Sequence, residues 1–113
     1  MRVAAVVGDL MLYSRIESAS RVSGASLARV DHPSLAPADA ELVLVDWSAR
    51  DPSWAEPLRA LRDNGARVIL FGPHVDLEAH AAARDTDLGP MWARSKLISS
   101  LSSVLGGTGP VRS

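Results

Sequence analysis

ELVLVD, residues 41–46, is an almost unbroken apolar run that ends in a carboxylate. A short run of this kind, rich in valine and leucine, is typical of a strand buried on both faces of a parallel sheet. The pattern returns in VAAVV, residues 3–7, and in RVILF, residues 67–71. Weaker strands are expected at residues 26–30, which alternate as an edge strand does, and at residues 91–93. The sequence therefore predicts five strands.

Helical spacing of apolar side chains separates most of these runs. One helix is expected from about Leu12, and a second follows a capping box formed by Ser53 and Glu56. Asp76 is expected to cap a third helix and Ser95 a fourth, because short polar side chains satisfy the free amides of a helix start. Strands and helices thus alternate along the chain.

This alternation predicts a doubly wound α/β domain, a parallel sheet covered by helices on both sides with right-handed crossovers. Residues 31–40 contain two prolines and leave room for about one turn, so the helix after the second strand is expected to be short or missing. The domain is expected to span residues 1–105. Residues 106–113, rich in glycine, are expected to form a flexible tail.

The composition excludes several classes of protein. The chain has 113 residues, of which 47% are hydrophobic, and its formal net charge is −1, so neither disorder nor a nucleic-acid surface driven by bulk charge is favoured. It has no cysteine, which excludes disulfides and thiolate chemistry. The apolar run near the N-terminus is too short for a membrane span or a signal peptide, so we expect a cytoplasmic protein.

Two carboxylates are expected beside the point where the strand order reverses. Asp9 follows the first strand and Asp46 ends the third, and ligands of open α/β sheets bind beyond the carboxyl ends of such strands. Two carboxylates and a nearby carbonyl can hold Mg²⁺, which needs few protein ligands. The same residues are also ordinary helix caps and turn residues, and that structural interpretation stays open.

Three segments together resemble the receiver domains of response regulators of the CheY type. They are VVGDLMLYSRIE at residues 6–17, VLVDWSARDP at residues 43–52 and VILFGPH at residues 68–74. The resemblance extends from Arg2 to Leu105 and lies in the order and spacing of the segments. It implies the flavodoxin-like, CheY-like strand order 2-1-3-4-5.

The resemblance also implies roles for individual residues. Asp46 matches the aspartate that accepts phosphate, Asp9 matches one of two acids that hold Mg²⁺, and the carbonyl of Ser48 would be a third ligand. Gly8 stands where the family has its other acid. Gly72 stands where the family has a serine or threonine at the end of the fourth strand.

The lysine of the family has no direct counterpart in this chain. Arg94 occupies its position in the preferred alignment, whereas a shifted alignment would place Pro90 there and remove the cation. Arginine differs from lysine because its planar guanidinium can clamp a carboxylate. An Arg94 paired permanently with Asp46 or Asp9 would lock the pocket in one state.

These changes favour a stand-alone pseudo-receiver that binds another signalling protein and has no enzymatic activity and no cofactor beyond a weakly held Mg²⁺. The alternative is a single-domain response regulator phosphorylated on Asp46 with Mg²⁺, and a third option is a small-molecule binder in the same crevice. The serine-rich face of the last helix could support a homodimer. Of Trp47 and Trp92, at least one is expected to be exposed as an interface anchor.

Overall fold

The computed structural model describes residues 1–106, which form five strands and four α-helices. Each strand lies within one residue of the bounds expected from sequence. The strands are β1 Arg2–Val6, β2 Ser26–Arg29, β3 Leu42–Asp46, β4 Arg67–Gly72 and β5 Trp92–Ala93, and the helices are α1 Leu10–Ser23, α2 Ala55–Asp63, α3 Leu77–Asp85 and α4 Arg94–Leu105.

The strands form one parallel sheet in the order β2-β1-β3-β4-β5, which confirms the doubly wound α/β prediction. The register places Asp46 beside Phe71, and Gly72 beside Ala93. Because all five strands run the same way, their carboxyl ends lie along one edge of the sheet. That edge is where the sequence places the candidate site.

Each face of the sheet packs against its own pair of helices. Alternate residues of β3 point to opposite faces, so Val43 and Val45 join α2 and α3 while Leu42 and Leu44 join α1 and α4. The β3 strand is buried along its whole length. This two-sided burial explains why ELVLVD is a nearly continuous apolar run.

Two of the expected helix caps are wrong. The hydroxyl of Ser53 donates to Asp51, and Asp51 caps a 3₁₀ turn at Pro52–Trp54 that leads into α2. Ser95 lies inside α4, which begins at Arg94 without any side-chain cap. The expected cap at Asp76 is confirmed, since its carboxylate accepts the amide of Ala79 at 3.0 Å.

The connection between β2 and β3 contains only a 3₁₀ turn at Pro33–Leu35, which confirms that the second helix of the pattern is reduced. In the described residues, 1–106, no helix is long and apolar enough to cross a membrane. The expected tail at residues 106–113 lies outside the described residues apart from Gly106.

Candidate functional site

The predicted site residues all lie at the carboxyl edge of the sheet. Asp46 ends β3, Gly72 ends β4, Asp9 follows β1 by three residues, and Arg94 comes directly after β5. Pro90 precedes β5 and therefore belongs to the opposite end of that strand. Arg94 therefore lies at the carboxyl edge of the sheet, and Pro90 does not.

Asp46 is buried and its charge is held by the turn that follows it. The residue is 8% exposed, and its Oδ1 accepts the amide of Ser48 at 3.2 Å and the hydroxyl of Ser48 at 2.5 Å. These two hydrogen bonds begin the 3₁₀ turn at Trp47–Ala49. The side chain of Ser48 thus bonds to Asp46 directly, whereas the sequence pattern had indicated a role only for its carbonyl.

Asp9 is engaged through both of its carboxylate oxygens. Oδ1 accepts the amides of Met11 at 3.0 Å and Leu12 at 3.2 Å, so Asp9 is the N-cap of α1. Oδ2 accepts from the guanidinium of Arg94 at 3.2 Å. The amide of Leu12, with smaller contributions from that of Met11 and from Arg94, holds the pKa of Asp9 below its ordinary value of 3.8, although partial desolvation opposes this.

Of the two carboxylates, Arg94 contacts Asp9. The side chains of Arg94 and Asp9 are 43% and 38% exposed, so water screens the attraction and the pair resembles a surface salt bridge. Within residues 1–106, Asp46 makes no ion pair. Arg94 therefore contacts Asp9, whereas the buried Asp46 is bonded to Ser48.

The two glycines at this edge have different surroundings. A Cβ atom placed on Gly8 would meet nothing within 4 Å, so the position of the missing second acid is open space. A Cβ atom on Gly72 would lie 3.1 Å from the sulfur of Met91 and 3.7 Å from Cβ of Ser48. The buried Met91 thus fills the space beside the end of β4 where the family has its hydroxyl.

The expectation that at least one tryptophan is exposed is wrong, and Trp47 is the clearest case. It is 2% exposed, and its Nε1 donates to the carbonyl of Ala79 in α3 at 3.1 Å, which satisfies its only polar atom. Trp92 is half-buried, with the ammonium of Lys96 4.3 Å from its ring centroid. Neither tryptophan is a free anchor.

A repeated short motif could have revealed the local hydrogen bonds. Asp46 and Ser48 are spaced as Asp51 and Ser53 are, and in both pairs one carboxylate oxygen accepts the amide and the hydroxyl of the serine. Aspartate commonly bonds the backbone two residues on in this way. The hydroxyl of Ser53, followed by its amide, lowers the pKa of Asp51.

Asp9 and Asp46 are the only acids that the family pattern places in the pocket, and Asp9 is already bonded to the start of α1 and to Arg94. A Mg²⁺ ion at Asp9 would have to displace Arg94 or compete with the N-cap bonds of α1.

Comparison with known proteins shows the fold. No family model and no curated protein matches the chain. Among solved structures, the crystal structure of a protein described as the CpaE2 pilus assembly protein of Sinorhizobium meliloti is similar, with a TM-score of 0.55 and 15% sequence identity. The match covers 89% of this chain and 97% of the other. The chain has a flavodoxin-like, CheY-like α/β fold with the strand order 2-1-3-4-5.

Proposed function

We propose that this chain is a pseudo-receiver, a signalling module that acts by binding another protein and is not switched by phosphorylation of Asp46. The observation that carries this proposal is the state of Asp9, whose two carboxylate oxygens are occupied by the start of α1 and by Arg94. The acid that would hold the metal is thereby a structural residue.

Phosphoryl transfer to a carboxylate depends on charge neutralisation by a metal and a cation, together with correct positioning. Here Gly8 supplies no second acid, and Arg94, which takes the position of the family's lysine, is already paired with Asp9. Catalysis of the transfer is weakened at the step where most of its stabilisation arises.

The readout of phosphorylation is also affected. A hydroxyl at the end of β4 would have to follow a phosphoryl group, but Gly72 has no side chain and Met91 packs against it. A packed core does not deform continuously, so this end of the sheet favours one arrangement. The module then presents a constant surface to its partner and needs no cofactor or turnover chemistry.

A phosphorylatable response regulator is the second candidate, and two observations favour it. Oδ2 of Asp46 accepts no hydrogen bond from the described residues, and the space at Gly8 would admit water around a bound ion. This candidate requires that Mg²⁺ bind at the carboxyl edge despite the Arg94–Asp9 pair.

Titration with Mg²⁺, followed by two-dimensional NMR, separates the two candidates. We expect the amide signals of residues 8–11 and 46–48 to stay in place in the wild type. In Gly8→Asp, which adds a carboxylate in open space, Mg²⁺ should move these signals. The matched control is Gly8→Asn, which adds the same volume without the charge. Saturable shifts at both segments in the wild type would favour the phosphorylatable receiver.

A further inference from the structure

A groove on the α2 and α3 side of the sheet shares only Ser48 with the candidate site. It lies between the connection from β3 to α2 and helix α3, and its volume is about 690 Å³. Its apolar lining includes Trp47, Pro52, Ala55 and Ala82. A groove of this size, with an apolar floor, can accept several side chains of a partner.

Carboxylates surround this apolar floor. Asp51, Asp76, Glu78 and Asp85 line the groove, against the single cation Arg50. None of the four carboxylates forms an ion pair within residues 1–106. The whole chain has a formal net charge of only −1, so the negative charge is concentrated here.

The spacing of these carboxylates favours a polypeptide partner over a single metal ion. No three acidic or histidine side chains of the described residues are close enough together to share one metal ion. Separated negative charges along an apolar groove complement a chain that carries several positive charges at intervals.

Two exposed apolar side chains at the start of α3 are neighbours in sequence of the groove-lining Asp76. Val75 and Leu77, the two neighbours of Asp76, are 72% and 75% exposed. Large apolar side chains at this exposure, next to an apolar groove, are typical of a protein contact surface. The surface as a whole, hereafter the α3 groove, therefore combines apolar contact area with an acidic border.

We propose that the α3 groove is the docking site for a basic amphipathic segment of another protein, with lysine or arginine on one side and apolar residues on the other. This inference rests on the proposed function, because it names the chemistry of the partner of a binding module. Ser48 lines the groove and donates to Asp46, so the docking surface adjoins Asp46.

A synthetic helical peptide of leucine and lysine is the probe, used with the full chain at about 0.15 M salt, where exposed charges are screened beyond roughly 8 Å. NMR shifts should map to residues 47–55 and 75–86. Charge reversal by Glu78→Lys with Asp85→Lys should weaken binding about tenfold or more, because neither carboxylate has a hydrogen bond or ion pair in the described chain. Leu77→Gln should weaken it several-fold.

The matched control is Glu17→Lys with Asp31→Lys, which makes the same change in net charge away from the groove. It should retain wild-type affinity. Equal weakening in the control, or shifts mapped to α1 and α4, would show that the peptide responds to net charge alone and would overturn the inference. A basic peptide without leucine that binds as tightly would also overturn it, since the apolar floor would then contribute nothing.

The proposed function can fail separately. If the chain takes up a phosphoryl group at Asp46 and still binds the peptide in the α3 groove, the pseudo-receiver proposal is wrong and the docking inference stands. If the chain takes up no phosphoryl group and does not bind the peptide, the pseudo-receiver proposal stands and the docking inference is wrong.

Discussion

The carboxylates at the carboxyl edge are held by local hydrogen bonds more than by ion pairs. Asp46 is held by Ser48, and Asp9 by the first amides of α1. Arg94 forms an additional contact with Asp9, a salt bridge that is partly exposed to solvent. The local turn therefore holds each of these side chains in place.

Replacing Arg94 should change the pKa of Asp9 only in part. Because the amide of Leu12 is the largest cause of the lowering, Asp9 in Arg94→Ala should titrate higher than in the wild type but still below 3.8. The measurement is the carboxyl ¹³C shift against pH. Arg21→Ala is the matched control, since it removes an arginine that contacts Glu17 and should leave Asp9 unchanged. A pKa of 3.8 or above in Arg94→Ala would show that the ion pair dominates.

The lowered pKa of Asp9 also makes the free energy of unfolding depend on pH in the acidic range. A folded-state pKa below the unfolded value of 3.8 stabilises the protein at pH above 3.8, and this contribution is lost as pH falls through the folded value. Asp51 has the same direction of shift. As the pH is lowered from 4, the free energy of unfolding of Asp9→Asn should therefore fall less than that of the wild type. Denaturant unfolding at each pH measures this difference. An equal loss in both proteins would contradict this assignment.

Sequence predicted the cap at Asp76 and missed two others for a physical reason. Ser53 and Ser95 both have the composition of a cap, but Ser53 already donates to Asp51, and α4 starts one residue earlier at the end of β5. Competing local hydrogen bonds of this kind depend on backbone angles that a pattern of residue types does not specify.

At the scale of elements, the ends of β4 and β5 form one packed unit. Gly72 pairs with Ala93, and the side chain of Met91 lies over Gly72. The strands themselves were predictable because two-sided burial requires continuous apolar runs. The contact between Met91 and Gly72 was not, because it depends on the register of two strands that are separated by a helix.

A double-mutant cycle tests this packed unit. Gly72→Thr places atoms about where the sulfur of Met91 lies, so it should destabilise the protein by roughly 1–3 kcal/mol. Met91→Ala alone should cost about 2–5 kcal/mol because it leaves a cavity. The double variant should cost less than the two changes together, with a coupling of about 0.5–3 kcal/mol measured by denaturant unfolding. Additive costs would show that Met91 does not occupy the space beside Gly72.

At the scale of the whole molecule, the order and spacing of the strands and helices predict the fold, and the identity of individual residues contributes little. The sheet order was predicted in full, and a solved structure with only 15% identity has a similar fold. The positions of Asp9, Asp46, Gly72 and Arg94 at one edge followed from strand direction. The α3 groove did not, because it arises where two loops and a helix meet.

The most direct measurement of the central claim is the intact mass of the protein after treatment with acetyl phosphate and Mg²⁺. The account predicts that the wild type gains no phosphoryl group, because Asp9 is engaged as a cap and ion-pair partner and Gly8 supplies no second acid. A working receiver treated alongside confirms that the reagent is active. A stoichiometric phosphoryl adduct on the wild type that disappears in Asp46→Asn would contradict the account and establish the chain as a phosphorylatable response regulator.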